Sequence, residues 1–451
     1  HNIHFDEKFL SELCSRHGRE EKNFIKYDTL QLARSVLFEQ PVFNLTALSD
    51  YYGLSSDGAH RAENDTENTG MIFLELINEV AGYPLEIISK VNSILQGSKV
   101  PNHQLYKNLA KELTKKGDLK KGLIKQKTTP DCNANIFSHI GERNIDSLSA
   151  SDVFGENGTL SDVHPNFESR PNQKQYAQLV NDILSETGKV GVIEAGTGLG
   201  KSMAYLFGAI KESVNVDENG PVIIACNTKH LQDQLFHKDL PLLSQALDVP
   251  IKAVMLKGRK NYICKTRLNW LFADSKTLDT IDLEALIPVL FWISWTKTGD
   301  ISECSGFLNT RRSWLKAFIS SDTGFCTGEI CNKNNGCYYG KLKKNIFQAH
   351  IIVANHSLLM TNVSQEGLLP SFSSVIVDEA QDLSAESWMP IELLLNSDQD
   401  HKFFIFSDTN QSLYSETNNI PKLSQPFMLV HNCRNTRQIH EFAYSHYQGP
   451  E

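Results

Sequence analysis

The segment that most constrains this chain is Val192-Ile193-Glu194-Ala195-Gly196-Thr197-Gly198-Leu199-Gly200-Lys201-Ser202. An apolar run of strand length stops in a glycine-rich turn, and a helix-forming stretch follows at once. Glycine at Gly196, Gly198 and Gly200 lets backbone N–H groups converge on phosphate oxygens, and the helix behind points its positive end at them. Lys201 is set to reach the β- and γ-phosphates and the Ser202 hydroxyl to ligate Mg²⁺, while Ala195 replaces the first glycine of such loops. A loop of this kind needs a β/α frame. Apolar runs at Val190–Glu194, Val222–Cys226, Ile351–Ala354, Ser374–Val377 and Phe403–Phe406, with a helix-like stretch Lys229–Phe236 among them, supply one. Short buried strands between helices predict an α/β fold, a parallel sheet with helices on both faces.

A partner for the loop lies downstream in Val375-Ile376-Val377-Asp378-Glu379-Ala380-Gln381-Asp382. There an apolar strand delivers two adjacent carboxylates to the tip of the sheet. Asp378 would hold the Mg²⁺ shell, and Glu379 would polarise the attacking water. Together the two motifs imply ATP hydrolysis. They do not name the work done with it.

Composition sets the bounds. At 451 residues the expectation is two to four domains, and 40% hydrophobic with 22% charged residues is a globular balance. No apolar run approaches the roughly 20 residues of a membrane helix, and no leader is read, so cytoplasm is expected and no membrane partner. The nine cysteines do not suggest a disulfide framework in so long a chain. A net charge of −9 does not advertise nucleic-acid binding, although Lys107 to Lys127 and Lys341 to Lys344 are local basic runs. Helical spacing marks Leu30 to Phe38 and Met71 to Val80 within a first region, 1–98. Residues 99–165 turn polar and predict a linker, helical at first. The chain starts at His1 and suggests a fragment of a longer protein.

Residues 166 to about 380 resemble the DinG/XPD group of iron–sulfur helicases. The resemblance is carried by Glu168-Ser169-Arg170-Pro171-Asn172-Gln173, with Gln173 implied at the adenine, and by Asn227-Thr228 with Leu231-Gln232-Asp233-Gln234-Leu235, similar to a strand-binding motif. Lys257 to Cys264, Thr298 to Glu303 and Ala354-Asn355-His356-Ser357-Leu358-Leu359 have counterparts as well. Four cysteines, Cys264, Cys326, Cys331 and Cys337, could enclose a [4Fe–4S] cluster or Zn²⁺, and spacing does not separate the two. The family resemblance implies the cluster, in a domain inserted at about 257–345 of a RecA-like motor lobe spanning 166–451. Single-stranded DNA or a forked duplex is the implied partner. Oligomeric state is left open.

Two further resemblances bracket this one. The tail has Gln381 where DinG proteins usually carry His, and Phe406 to Tyr414 with Leu429 to Thr436 look like UvrD-type helicases of the first superfamily. There Gln411 would sense the γ-phosphate and Arg434 would contact it from a second lobe that begins after about 425, so the chain reads as a mosaic of open polarity. Residues 1–98 resemble the C-terminal part of a DnaQ-like, RNase H-like 3′–5′ exonuclease. His1-Asn2-Ile3-His4-Phe5-Asp6 and His60-Arg61-Ala62-Glu63-Asn64-Asp65 imply Asp6 and Asp65 as metal ligands and His60 as general base. The first acidic strand of that family is absent, which predicts little nuclease activity. The leading expectation is thus a DinG-type, ATP-dependent DNA helicase with an exonuclease-like domain, acting in repair or replication. An ATP-fuelled exonuclease and a DNA-binding regulatory ATPase are the alternatives.

Overall fold

The computed structural model describes residues 1–451 except 21–23, 55–61, 116–135, 165–166, 186–189, 196–199, 215–219, 275–276, 326–327, 334–336, 365–366, 396–401, 408–426 and 430–451. It divides into two compact units, each built from two pieces of chain: His1–Cys132 with Arg259–Gly340, and Asn133–Gly258 with Lys341–Glu451.

The second unit holds one sheet. Its strands are β1 (Ile136–His139), β2 (Val190–Ala195), β3 (Val222–Cys226), β4 (Ile251–Leu256), β5 (Ile351–Asn355), β6 (Ser374–Val377), β7 (Lys402–Ser407) and β8 (Phe427–Leu429). They lie in the order β1-β4-β5-β3-β6-β7-β2-β8. Every pairing is parallel except β1 on β4, as expected of strands joined by crossover helices. Both faces are covered, so β3 is buried at all five positions and β6 at all four. That is why these strands read as continuous apolar runs rather than alternating ones. Tyr176, Tyr205, Phe207, Phe404 and Phe406 fill the core around them.

The first unit is helical throughout its described residues, apart from the isolated bridges Tyr262 to Asp300 and Ile263 to Ser320. Among the described residues, region 1–98 therefore contributes helices and no strand of an RNase H-like sheet. Asp28 caps the helix Thr29–Val36, accepting from the amides of Leu30 and Gln31, and Asn44 caps Leu45–Tyr51 through the amide of Ala47. These helices share one core with 259–340: Leu32, Ile72, Leu76 and Val91 are buried together with Phe291, Trp292 and Phe307. The helix Thr280–Trp292, opened by a capping box of Asp279 and Asp282, is buried almost all round. Tyr83 meets Phe291 edge-on at 4.8 Å. The stretch expected as linker differs from that reading. Its helix His103–Lys115 buries Tyr106 in the first core, and its later residues supply β1 and the helices Ala150–Phe154 and Thr159–Val163 to the second unit. Polar composition overall hid the few apolar residues that anchor each piece.

Candidate nucleotide site

In a sheet wound this way, ligands meet the carboxyl ends of the strands. There β2 ends at Ala195, and the helix Lys201–Val214 begins a loop later. Gly196, Thr197 and Gly198 of that loop lie outside the described residues. Gly200 has φ +73°, a backbone that strains other residues, and a Cβ on it would fall 2.0 Å from Gln173 Nε2, whose side chain would have to shift. Gln173, buried on the helix Pro171–Ser185, donates from Nε2 to the Gly200 carbonyl at 3.4 Å. Its amide thus touches the loop itself.

Lys201 is 9% exposed and its Nζ is buried without a hydrogen-bond partner. Glu379 Oε1 stands 3.9 Å away, an ion pair but not a hydrogen bond. A buried ammonium left this way is destabilising until anionic oxygens reach it. This is what a phosphate would do.

Asp378 follows β6 and is 2% exposed. Its amide donates to Ala225 O at 2.8 Å, continuing the β3 pairing past the strand end. Its Oδ2 accepts from the Tyr205 hydroxyl at 2.8 Å and its Oδ1 from the Glu379 amide at 3.0 Å. Burial pushes the Asp378 carboxyl up to about 6, with Glu379 adding repulsion, while Lys201 and Tyr205 pull the other way. A carboxylate so crowded suits a divalent cation, which would reverse that balance. Glu379 sits at φ 56°, a left-handed backbone that non-glycine residues rarely adopt, and its carboxylate contacts the Gln381 amide. Ser202, one residue beyond Lys201, stands part-buried on the same helix as Tyr205.

Two residues at this site carried no assigned role in the sequence reading. Tyr205 is one; a tyrosine inside an apolar helix needs a partner for its hydroxyl, and that was the available signal. His356 is the other: buried at the end of β5, it donates from Nε2 to Asp378 O at 2.8 Å. Burial pushes its imidazole down to about 4, so it is neutral at pH 7. Beside it, Asn227 donates from Nδ2 to Asp382 Oδ2 at 2.7 Å. A cavity of about 540 Å³ opens there, lined by Asn227, His356, Asp382 and Ser384 among others.

Gln411, Arg434, His60 and Cys326 lie outside the described residues. Asp6 is exposed, 3.8 Å from the His1 amino group, and Asp65 lies in the first turn of the helix Ala62–Ala81. Cys264 stands at the N-cap position of the helix Lys265–Ala273 without a side-chain capping bond, Cys331 lies in Gly328–Lys333, and Cys337 Sγ accepts from the Gly340 amide at 3.4 Å. Among the described residues no three His, Cys, Asp or Glu side chains are gathered as a metal centre requires.

Comparison with known proteins agrees with the motor geometry. The family described as UvrD/REP helicase N-terminal domain matches residues 336–425. The 3′-5′ exonuclease DinG of Bacillus subtilis (strain 168) is 26% identical over 387 residues, covering 84% of this chain and 40% of that protein. The DinG exonuclease of Staphylococcus epidermidis is 28% identical over 392 residues, 85% of this chain and 40% of its own length. The ATP-dependent DNA helicase YoaA of Escherichia coli (strain K12) is 34% identical over 238 residues, 52% of this chain and 36% of that protein. The chain spans about two fifths of the length of the curated relatives it matches. By these matches the chain is similar over most of its length to proteins named DinG, and over about half of it to the helicase YoaA.

Proposed function

We propose that this chain is the ATP-hydrolysing part of a DinG-type DNA helicase. The observation that carries the reading is the convergence of Lys201, Glu379 and Asp378 at the strand ends of one sheet, with the buried Lys201 Nζ making no hydrogen bond. Lys201 and the loop from Ala195 to Gly200 would take the phosphates, Gln173 the adenine side, and Ser202 with Asp378 would hold Mg²⁺, which supplies charge neutralisation on the phosphates. Glu379 would orient and deprotonate the attacking water. Gln411 and Arg434 are proposed at the γ-phosphate. Single-stranded DNA or a forked duplex is the proposed substrate, in the cytoplasm.

The test is ATP turnover by this chain with and without single-stranded DNA. Lys201→Ala should lose nucleotide binding, whereas Glu379→Gln should still bind ATP and lose turnover by about 10²-fold or more. Equal turnover by wild type and Glu379→Gln would sink the assignment.

A [4Fe–4S] cluster on Cys264, Cys326, Cys331 and Cys337, with zinc as the alternative, is supported by spacing and resemblance alone, and no step is routed through it. Visible absorption of anaerobically purified protein decides it, a colourless zinc-loaded sample going against the cluster. A second reading, a 3′–5′ exonuclease using Asp6, His60 and Asp65, is favoured by the relatives named 3′-5′ exonuclease DinG. Equal cleavage of single strands by wild type and Asp65→Ala in Mg²⁺ or Mn²⁺ would end it.

A further inference from the structure

A pocket of about 450 Å³ lies wholly within the first unit, between the start of the helix Ile3–Arg16, the helices Thr29–Val36 and Thr280–Trp292, and the turn 310–312. Leu30, Ile281, Ala285 and Pro288 give its wall apolar surface. Phe5, 69% exposed, lines it too. The lining is also basic. Lys8, Arg34, Arg311 and Arg312 line it against a single carboxylate, Glu284.

These charges are unevenly matched. Arg312 is committed, with Nη2 on Asp279 at 2.7 Å and Nε on Asp282 at 3.1 Å. Glu284 is committed as well, to His4 Nε2 at 2.8 Å, and burial raises its carboxyl above the usual range. Lys8 and Arg311 have no ion-pair partner among the described residues. Arg34 donates one arm to Asn309 O at 3.1 Å, but its Nε is buried with no hydrogen-bond partner. Arg34 also lies close enough to Arg311 to feel its like charge, offset by Asp28 and Glu284. Lys8 and Arg311, without an ion-pair partner among the described residues, line the same pocket as Arg34 with its idle buried donor, and together they suit an anion.

We propose that this pocket binds a nucleotide. Its phosphate would sit among Lys8, Arg34 and Arg311, completing the Arg34 donor set, and its base would lie on the apolar wall against Phe5. The volume is that of a small-ligand site, and an exposed aromatic beside cations is the usual means of holding a base without reading it. The same chemistry is offered by a free mononucleotide and by one nucleotide of a single strand. This site is separate from the one containing Lys201, which belongs to the other unit.

The experiment titrates dAMP, and separately a short 5′-phosphorylated oligothymidylate, into the 451-residue chain carrying Lys201→Ala, without Mg²⁺. Lys8→Ala with Arg311→Ala, both exposed side chains, should weaken binding about tenfold or more and flatten its salt dependence, with an unchanged melting temperature. Lys344→Ala, an exposed lysine of the second unit, should leave binding as it was. Saturable binding of dAMP with this pattern identifies a mononucleotide pocket, and binding of the oligomer alone identifies a strand subsite. Binding of neither probe, or binding indifferent to Lys8 and Arg311, overturns the proposal.

Discussion

Asp378 takes up a proton more readily in the folded chain than in the unfolded one, because burial and Glu379 disfavour its charge. Its pKa rises from 3.8 to about 6, so stability falls as pH climbs through that window. Above it the charge costs on the order of 3 kcal/mol. Asp378→Asn should therefore stabilise the chain at pH 7 without Mg²⁺ or nucleotide, and that gain should vanish below about pH 4. Urea unfolding across the window measures it; a gain independent of pH would contradict the assignment. His356 works in the opposite sense. Its pKa falls from 6.5 to about 4, so the unfolded chain takes the proton first and stability is lost as pH drops between those values. His356→Gln, which keeps a donor for the Asp378 carbonyl, should remove that acid loss. Tyr205→Phe deletes the hydroxyl on Asp378 at a cost of about 1 kcal/mol and should raise the Mg²⁺ concentration needed for ATP turnover more than it weakens the affinity for ATP.

Among the elements, what could be read from sequence followed from burial. The strands β2, β3, β5, β6 and β7 are apolar along most of their length, and each was legible within a residue or so. The run Ile251–Leu256 carried the same signal and becomes β4, but it received no assignment. The edge strands β1 and β8, four and three residues long, had too little pattern to show. Lys201, Asp378 and Glu379 were legible because strand, turn and helix chemistry fixes their order. Tyr205 and His356 act through contacts 173 and 22 residues away, which no local pattern encodes. Contact between elements also explains Gly306, whose missing Cβ would lie 2.0 Å from Arg34 O. Its amide donates to Phe38 O at 2.9 Å, so backbone meets backbone there. Gly306→Ala must push the helix Thr29–Val36 aside, at a cost on the order of 1–3 kcal/mol in thermal unfolding. An unshifted melting temperature would show that the contact yields freely.

At the scale of the whole molecule, residues 1–132 and 259–340 complete one core between them. A chain shortened to 133–451 would leave Phe291, Trp292 and Phe307 facing water. Such a chain should lose near-ultraviolet circular dichroism from its tryptophans and aggregate, and residues 1–132 supplied separately should restore it in part. Full near-ultraviolet ellipticity in the shortened chain would show that 259–340 packs unaided.

The interleaving of the two units also bears on the time taken to fold. Parallel pairing of β4 with β5 joins Leu256 to Ala354 across everything between them, and β2 must wait for β7, more than two hundred residues later. Loop-closure entropy grows only with the logarithm of such spans, yet rates fall steeply as contacts become non-local. If 259–340 settles first on 1–132, it shortens the flexible span that β4 and β5 have to close. A newly made chain would then gain its helical core before its sheet, and the strand ends beside Lys201 and Asp378 would be among the last places to form.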